Sequence, residues 1–306
     1  MFDYDVVIIG GGPAGLTAGL YLGRAKRRTL LLGKEIFEGP VVNIEWIENY
    51  PGFADGVAGA QLVSEMVTQA TKYGVQIEQA EVVGIELYTS SRWVKCADGS
   101  GYTTTVVIIA GGAHHKKLGV PGEEELRGKG VFNCALCDGG KFAEHVVAVC
   151  GGGDSGITEA LYMTKLASKV IVVELMPALT ASAVLQERAL ANPKLEIRTG
   201  VKVEAIVGEN QVEGVELVDA GGQRETLKVD GVLVQVGVEP NTDYLKGIVP
   251  LDGQGRVIVN QRMETETPYI LAAGDIRSGA PNQIITAAGD GATAAITAEK
   301  LLQELA

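Results

Sequence analysis

No apolar run in this 306-residue sequence reaches the ~18 residues that a membrane-spanning helix needs, which excludes a membrane span. The net charge is −12, a balance that repels nucleic acid and anionic membrane and serves solubility. Cysteine is sparse: of Cys96, Cys134, Cys137 and Cys150 only two are close together, which argues against a structural disulfide framework. The opening MFDYDVVIIG has no basic segment and no cleavage site, so no secretory signal is expected and the expected location is cytoplasmic. What remains is an ordinary globular composition, 46% hydrophobic and 21% charged, with length for two domains of about 150 residues each.

Two segments share one pattern. Residues 4–32 and 145–174 each run from a Val/Ile-rich apolar stretch into glycines, then a helically spaced stretch, then a second apolar run. That is the βαβ opening of a dinucleotide-binding unit, present twice. Residues 80–110 and 201–238 read as short antiparallel strands separated by Gly and Asp turns. The tail 281–305 begins Ala-rich and ends amphipathic, as a helix would. The expected fold class is α/β, with two Rossmann-like dinucleotide-binding domains, the second inserted in the first. Residues 1–115 and 241–306 form the first and residues 116–240 the second, with crossings near Pro121 and Pro240.

The first loop, GGGPAG, places Gly10, Gly12, Pro13, Ala14 and Gly15 at a strand-to-helix turn. One glycine serves the tight turn, one the close approach of a pyrophosphate, and one the packing of helix on strand. The helix N-terminus then offers N–H groups to the phosphates. The second loop, GGGDSG, repeats this with Gly151, Gly153, Asp154, Ser155 and Gly156, either as a nucleotide site or as a relic that only folds. A ribose-binding acid is expected about 20 residues on. The offset that takes Gly151 to Glu174 takes Gly10 to Gly33, so the first loop lacks its acid and Glu35 is the substitute candidate, alongside a plain solvated carboxylate. Glu174 would accept from a free 2′-hydroxyl and repel a 2′-phosphate, and the following LMPALTAS holds no cation to pair one. NADH therefore fits the second loop better than NADPH, and FAD fits as well as NADH.

Cys134 and Cys137 are spaced to close a small reactive disulfide near a helix start, with Asp138 beside them to move a proton. A zinc centre would need four ligands; His145 is a third candidate and no fourth is evident, so no metal is expected. Two inert buried thiols are the remaining alternative. Cys96 and Cys150 read as core residues. His114 and His115 either touch a nucleotide or close a strand, and the second reading is preferred.

GGGPAG at 10–15, IENYPGF at 47–53, KLGVPGEEE at 117–125, CALCDG at 134–139, GGGDSG at 151–156 and AAGDIRSG at 272–279 occur in one order over nearly the whole chain. In that combination the sequence resembles the low-molecular-weight thioredoxin reductases. The resemblance implies a homodimer, FAD in the interrupted domain, a redox disulfide on the inserted one, and a thioredoxin-like or other disulfide partner. It implies Cys137 beside the flavin, Cys134 as the attacking thiol and Asp138 as acid/base. It further implies that Asp275 bonds the ribitol and phosphate region, that Gln283 touches the flavin, and that Asn49 lies on the flavin side.

Departures from that family are informative. The family's glycine-glycine-glutamine approach to the flavin reads Glu38-Gly39-Pro40, the first ribose acid is Gly33, and residue 156 is Gly where NADPH users commonly carry Ala. The basic NADPH motif is replaced by Glu174-Leu175-Met176-Pro177. These changes resemble the pyridine-nucleotide-independent reductases, which draw on ferredoxin or a second bound flavin. The expected function is electron transfer from such a donor, or NADH, through FAD to Cys137/Cys134 and the partner. Two alternatives stand beside it: a dithiol oxidase that closes disulfides in a small molecule with oxygen, and a non-enzymatic flavin-binding sensor with a vestigial disulfide.

Overall fold

The computed structural model describes residues 3–34 and 39–305. The chain divides into two compact units, residues 1–114 with 239–306 and residues 115–238. The first unit opens with β1 (Tyr4–Ile9), α1 (Pro13–Arg24) and β2 (Thr29–Gly33). Val6 and Ile8 pack into one apolar cluster and Val7 and Ile9 into another, the two-residue alternation of a strand covered on both faces. After α2 (Gly59–Thr71) and β3 (Gln76–Gln79), a meander follows: β4 (Val82–Leu87), β5 (Arg92–Cys96) and β6 (Gly101–Ile109). The sheet order is β3-β2-β1-β6-β5-β4. The crossing strand β7 (Ala113–His115) leaves this unit.

The second unit repeats the plan. It runs β8 (Val131–Phe132), α3 (Ala135–Asp138), β9 (Val146–Cys150), α4 (Asp154–Met163), β10 (Lys169–Glu174), α5 (Ala183–Ala191) and β11 (Leu195–Thr199). An antiparallel meander of β12 (Val201–Val207), β13 (Gly214–Asp219) and β14 (Arg224–Lys228) precedes β15 (Gly231–Val234) and the returning β16 (Val238–Pro240). The parallel sheet is ordered β11-β10-β9-β15-β8. Val147 and Val149 join the cluster under α4 and α5, while Ala148 and Cys150 join the cluster shared with the meander. In both units the glycine loop follows a strand flanked on its two sides by strands of opposite succession, the switch point where α/β sheets bind ligands. The α/β architecture with two Rossmann-type sheets expected from the sequence is present.

The chain returns to the first unit through β17 (Ile270–Ala272), which pairs with Val107–Ile109 of β6, and ends in α6 (Ile284–Glu304). The Ala-rich start of α6 has a packing reason. Ala287, Ala288, Gly291, Ala294 and Ala295 are buried on its inner face, against the small residues Ala14, Gly15 and Ala18 of α1. A Cβ on Gly291 would lie 2.0 Å from the Ala14 carbonyl oxygen, so the two helices meet backbone to backbone. Arg27 closes the far end with a two-bond fork to Glu299, at 2.6 and 2.8 Å. Gly291→Ala is expected to destabilise the protein by about 1–3 kcal/mol through overpacking, measured as a lower urea midpoint at unchanged slope. An unchanged midpoint would show that α6 does not depend on this approach.

Candidate active site

In the first unit Gly10 has φ 119°, and a Cβ there would lie 2.1 Å from the Ala110 carbonyl oxygen. A Cβ on Gly15 would lie 1.9 Å from the Gly10 oxygen. Gly12 faces open space, and no side chain caps α1, whose buried first turn holds Pro13 and Ala14. The first N–H groups of α1 are thus left for an anion, over a surface that a diphosphate can approach. Gly274 and Asp275 lie next to this turn: a Cβ on Gly274 would sit 3.0 Å from Ala14 Cβ. Asp290 on α6 fixes that segment, accepting from Gly274 N at 3.1 Å and from Arg277 Nε and Nη2 at 2.7 and 3.0 Å. The Asp275 carboxylate accepts no hydrogen bond among the described residues. Burial pushes its carboxyl above the ordinary aspartate range, with Arg256 opposing. A half-buried carboxylate that accepts no hydrogen bond among the described residues thus stands beside an uncapped helix start. Asn49 Nδ2 donates to Gln283 Oε1 at 3.0 Å, so these two expected flavin contacts are brought together at the start of α6. Gly33 ends β2 fully buried; Glu35 and Glu38 lie outside the described residues.

The second loop has the same backbone. Gly151 has φ 122° with a Cβ position 2.1 Å from Gln235 O, and a Cβ on Gly156 would lie 2.0 Å from Gly151 O. Gly153 heads α4 without a side-chain cap, and Ser155 is exposed. Here, however, the segment after β10 is laced across the loop. Thr180 and Ala181 donate their amides to Gly152 O, and Ser182 N donates to Asp154 Oδ1 at 2.6 Å. Glu174 spans the two: Oε2 accepts from Gly152 N and Oε1 from Met176 N. Each oxygen keeps a lone pair for a ribose hydroxyl. Leu175 and Met176, the next residues, are exposed. A cleft of about 320 Å³ adjoins them, lined by Leu175, Pro177, Gly200, Lys202, Val218 and Asp219 among others.

The redox turn belongs to the second unit. Cys134 and Cys137 are joined by a disulfide, and Cys134 Sγ accepts from Cys137 N at 3.1 Å. Cys137 is exposed and Cys134 half-buried. The turn is seated by small residues on one helical face: Ala135 is fully buried, and a Cβ on Gly139 would lie 2.8 Å from Met163 Sδ on α4. Asn133, just before the turn, is held by Gln235 Nε2 donating to its carbonyl at 2.7 Å. Asp138 is paired with Lys141 at 2.6 Å. The other two cysteines are buried, and burial pushes the Cys150 thiol up to about 12 and raises Cys96 as well, so neither supplies thiolate at neutral pH.

The pyridine nucleotide-disulphide oxidoreductase family model matches residues 4–291. The thioredoxin reductase of Listeria monocytogenes is 40% identical over 305 residues, 99% of this chain and 95% of its own length. The chain belongs to the thioredoxin reductase family. It is a flavin-dependent thiol-disulfide oxidoreductase, with FAD as the family's cofactor. A crystal structure of Lactococcus lactis thioredoxin reductase superposes with a TM-score of 0.96 at 36% identity, covering 99% of this chain and 100% of that one. A ferredoxin-flavin thioredoxin reductase from Clostridium acetobutylicum gives 0.54 at 30% identity, covering 98% of each.

Several residues of this reductase escaped the sequence reading. Lys202 reaches the cleft beside Leu175 from the next meander, so the segment after Glu174 is not the only source of a cation there. Arg277 and Asp290 brace the Asp275 segment, and Lys141 holds Asp138; only the last, three residues on, had a local signal. His114 lies on β7 with Nδ1 2.8 Å from Asn241 Oδ1, consistent with a role at the crossing. Among the described residues no group of His, Cys, Asp and Glu is placed to hold a metal ion.

Asp275 generates a paired prediction. Its raised folded-state pKa means that the stability tied to its proton is fully present below the ordinary value near ~3.9 and is lost as pH rises through the folded value. Asp275→Asn apoprotein should therefore be more stable than wild type at pH 7, the difference vanishing in acid, while FAD retention falls about 10- to 100-fold through loss of a charge-assisted acceptor. Thermal melts of apoprotein against pH, with flavin release by ultrafiltration, measure both; tighter FAD binding by the variant would contradict the assignment.

Proposed function

We propose that this chain passes electrons from bound FAD to the Cys134–Cys137 disulfide and on to a thioredoxin-like protein, as a homodimer, and that its donor is not NADPH. The observation that carries the donor reading is the end of β10, where Glu174 is followed by exposed Leu175 and Met176 in place of cations. A carboxylate at that position favours a free 2′-hydroxyl, as in NADH or a second FAD, and disfavours a 2′-phosphate. Reduced ferredoxin needs no pocket there, and the similarity to the Clostridium ferredoxin-flavin thioredoxin reductase supports it as a donor. The name shared by the curated relatives supports the thioredoxin-like partner.

Gly10, Gly12, Pro13, Ala14 and Gly15 form the cradle for the FAD diphosphate, with Asp275, Asn49 and Gln283 as further contacts and Glu35 as the ribose candidate. FAD supplies the electron pair when bound. The disulfide takes that pair and opens, with Cys137 as the flavin-side sulfur and Asp138 carrying a proton. The Cys134 thiolate then attacks a partner sulfur, releasing the partner's other thiolate and leaving a mixed disulfide. Cys137 attacks Cys134 Sγ, restoring the internal bond and freeing the reduced partner.

One observation favours a second reading. Lys202 in the cleft beside Leu175 offers a cation to a phosphate, and a pyridine nucleotide fits the family's description. Anaerobic mixing of purified protein with NADPH, NADH and reduced ferredoxin separates the readings. The proposal predicts that NADPH leaves the flavin oxidised over the mixing time while NADH or ferredoxin bleaches it, unless a second flavin per chain takes the site. Rapid bleaching by NADPH that is lost in Lys202→Ala would establish the second reading instead. Hydrogen peroxide produced from a dithiol, with no donor added, would point to a dithiol oxidase.

A further inference from the structure

We propose that Glu159 is a positioning residue of the redox turn: it holds the Ala135 amide, and its carboxylate opposes the thiolate that reduction creates on Cys134. This rests on the reading of Cys134 as the attacking sulfur. Glu159 sits on α4, the helix against which the turn packs, and it is half-buried. Its Oε2 accepts from Ala135 N at 2.6 Å. That nitrogen is separated from Sγ only by the backbone carbon, Cα and Cβ of Cys134, so the carboxylate is bound one residue from the sulfur. The bond places a negative charge on the first amide of α3, while Cys134 Sγ itself accepts from Cys137 N two residues further on.

Among the described residues Glu159 forms no salt bridge, and its hydrogen bond is to the Ala135 amide. The elements packed on α4 carry Asp138 on α3, with Lys141 just beyond it, Glu187 and Arg188 on α5, Lys169 and Glu174 on β10, and the buried Cys150 on β9; α4 itself carries Asp154. Burial pushes the Glu159 carboxyl up and the Ala135 N–H opposes. Reduction breaks the S–S bond with an electron pair that bound FAD would supply and a proton carried by Asp138, giving a thiol and a thiolate. A further proton then settles on the thiolate or on Glu159, because the site disfavours both charges together. Glu159 would so hold the reduced pair in a less reactive, protonated form until a partner disulfide arrives. The same α4 begins at the second glycine loop, so a single helix bears on both sites.

The test uses the full-length holoprotein with Cys137→Ser, in which Cys134 is the accessible thiol and Cys96 and Cys150 stay buried. Alkylation by iodoacetamide is followed against pH for this protein and for versions that also carry Glu159→Gln or Glu159→Ala. Glutamine can still accept from Ala135 N but carries no charge. The expected result is about three- to tenfold faster alkylation at pH 7 in Glu159→Gln, with the pH profile moved to the acid side, since removing a nearby negative charge favours the thiolate. Glu159→Ala, which loses the bond as well, should give a broader, less defined profile that glutamine restores. Identical profiles for the Cys137→Ser protein with and without Glu159→Gln would overturn the proposal and leave a purely structural bond. Failure of the underlying reading shows differently: Cys134→Ser would still form a mixed disulfide with a thioredoxin-like protein, whatever the Glu159 profiles.

Discussion

At two places in this chain a helix begins so close to the end of a strand that no side chain fits between them. Gly15 against Gly10 and Gly156 against Gly151 leave about 2 Å between a carbonyl oxygen and the site of a missing Cβ. The preceding glycine, at φ 119° or 122°, turns the chain on the neighbouring strand end in the same way. That proximity aims the first amides of α1 and α4 at one spot beyond the sheet, and the rest of the molecule either supports these two spots or differentiates them. The α1–α6 contact through Gly291 and the Asp290 brace support the first. The interlaced 175–182 segment and Glu174 differentiate the second.

The two cradles therefore share a backbone and part company in side chains. The first is adjoined by a half-buried carboxylate, Asp275, that accepts no hydrogen bond among the described residues and whose desolvation is opposed by Arg256. The second uses its carboxylate on its own amides, and its rim is apolar at Leu175 and Met176. A redox turn seated on α4 by Ala135 and Gly139 lies in the same unit as the second cradle. The redox turn and the second cradle thus rest on one helix, α4, while the first cradle lies in the other unit.

Much of this was legible in the sequence because the signals are local. The βαβ runs, the glycine spacing, the two meanders and the Cys134/Cys137 pair each lie within a few tens of residues, where periodicity and turn chemistry act. The α/β architecture followed from them, and the family from the resemblance carried by six ordered motifs. What could not be read depends on contacts between distant segments. Gly291 looks like a weak point in an Ala-rich helix until Ala14 is seen against it. Arg277 and Asp290 are an unremarkable pair of charges until the fold nearly buries both. Lys202 lies far along the chain from Glu174 yet reaches the cleft beside it. Glu159 reads as one exposed helical carboxylate until α3 covers it.

As proposed above, the Cys134–Cys137 bond stores an electron pair that it exchanges with bound FAD. Anaerobic titration with dithionite, following flavin absorbance in wild type and in Cys134→Ser, tests it directly. The account predicts that wild type takes up one electron pair more per flavin than the variant before the flavin is fully bleached. Equal uptake by the two proteins would contradict it, since the disulfide would then not exchange electrons with the flavin.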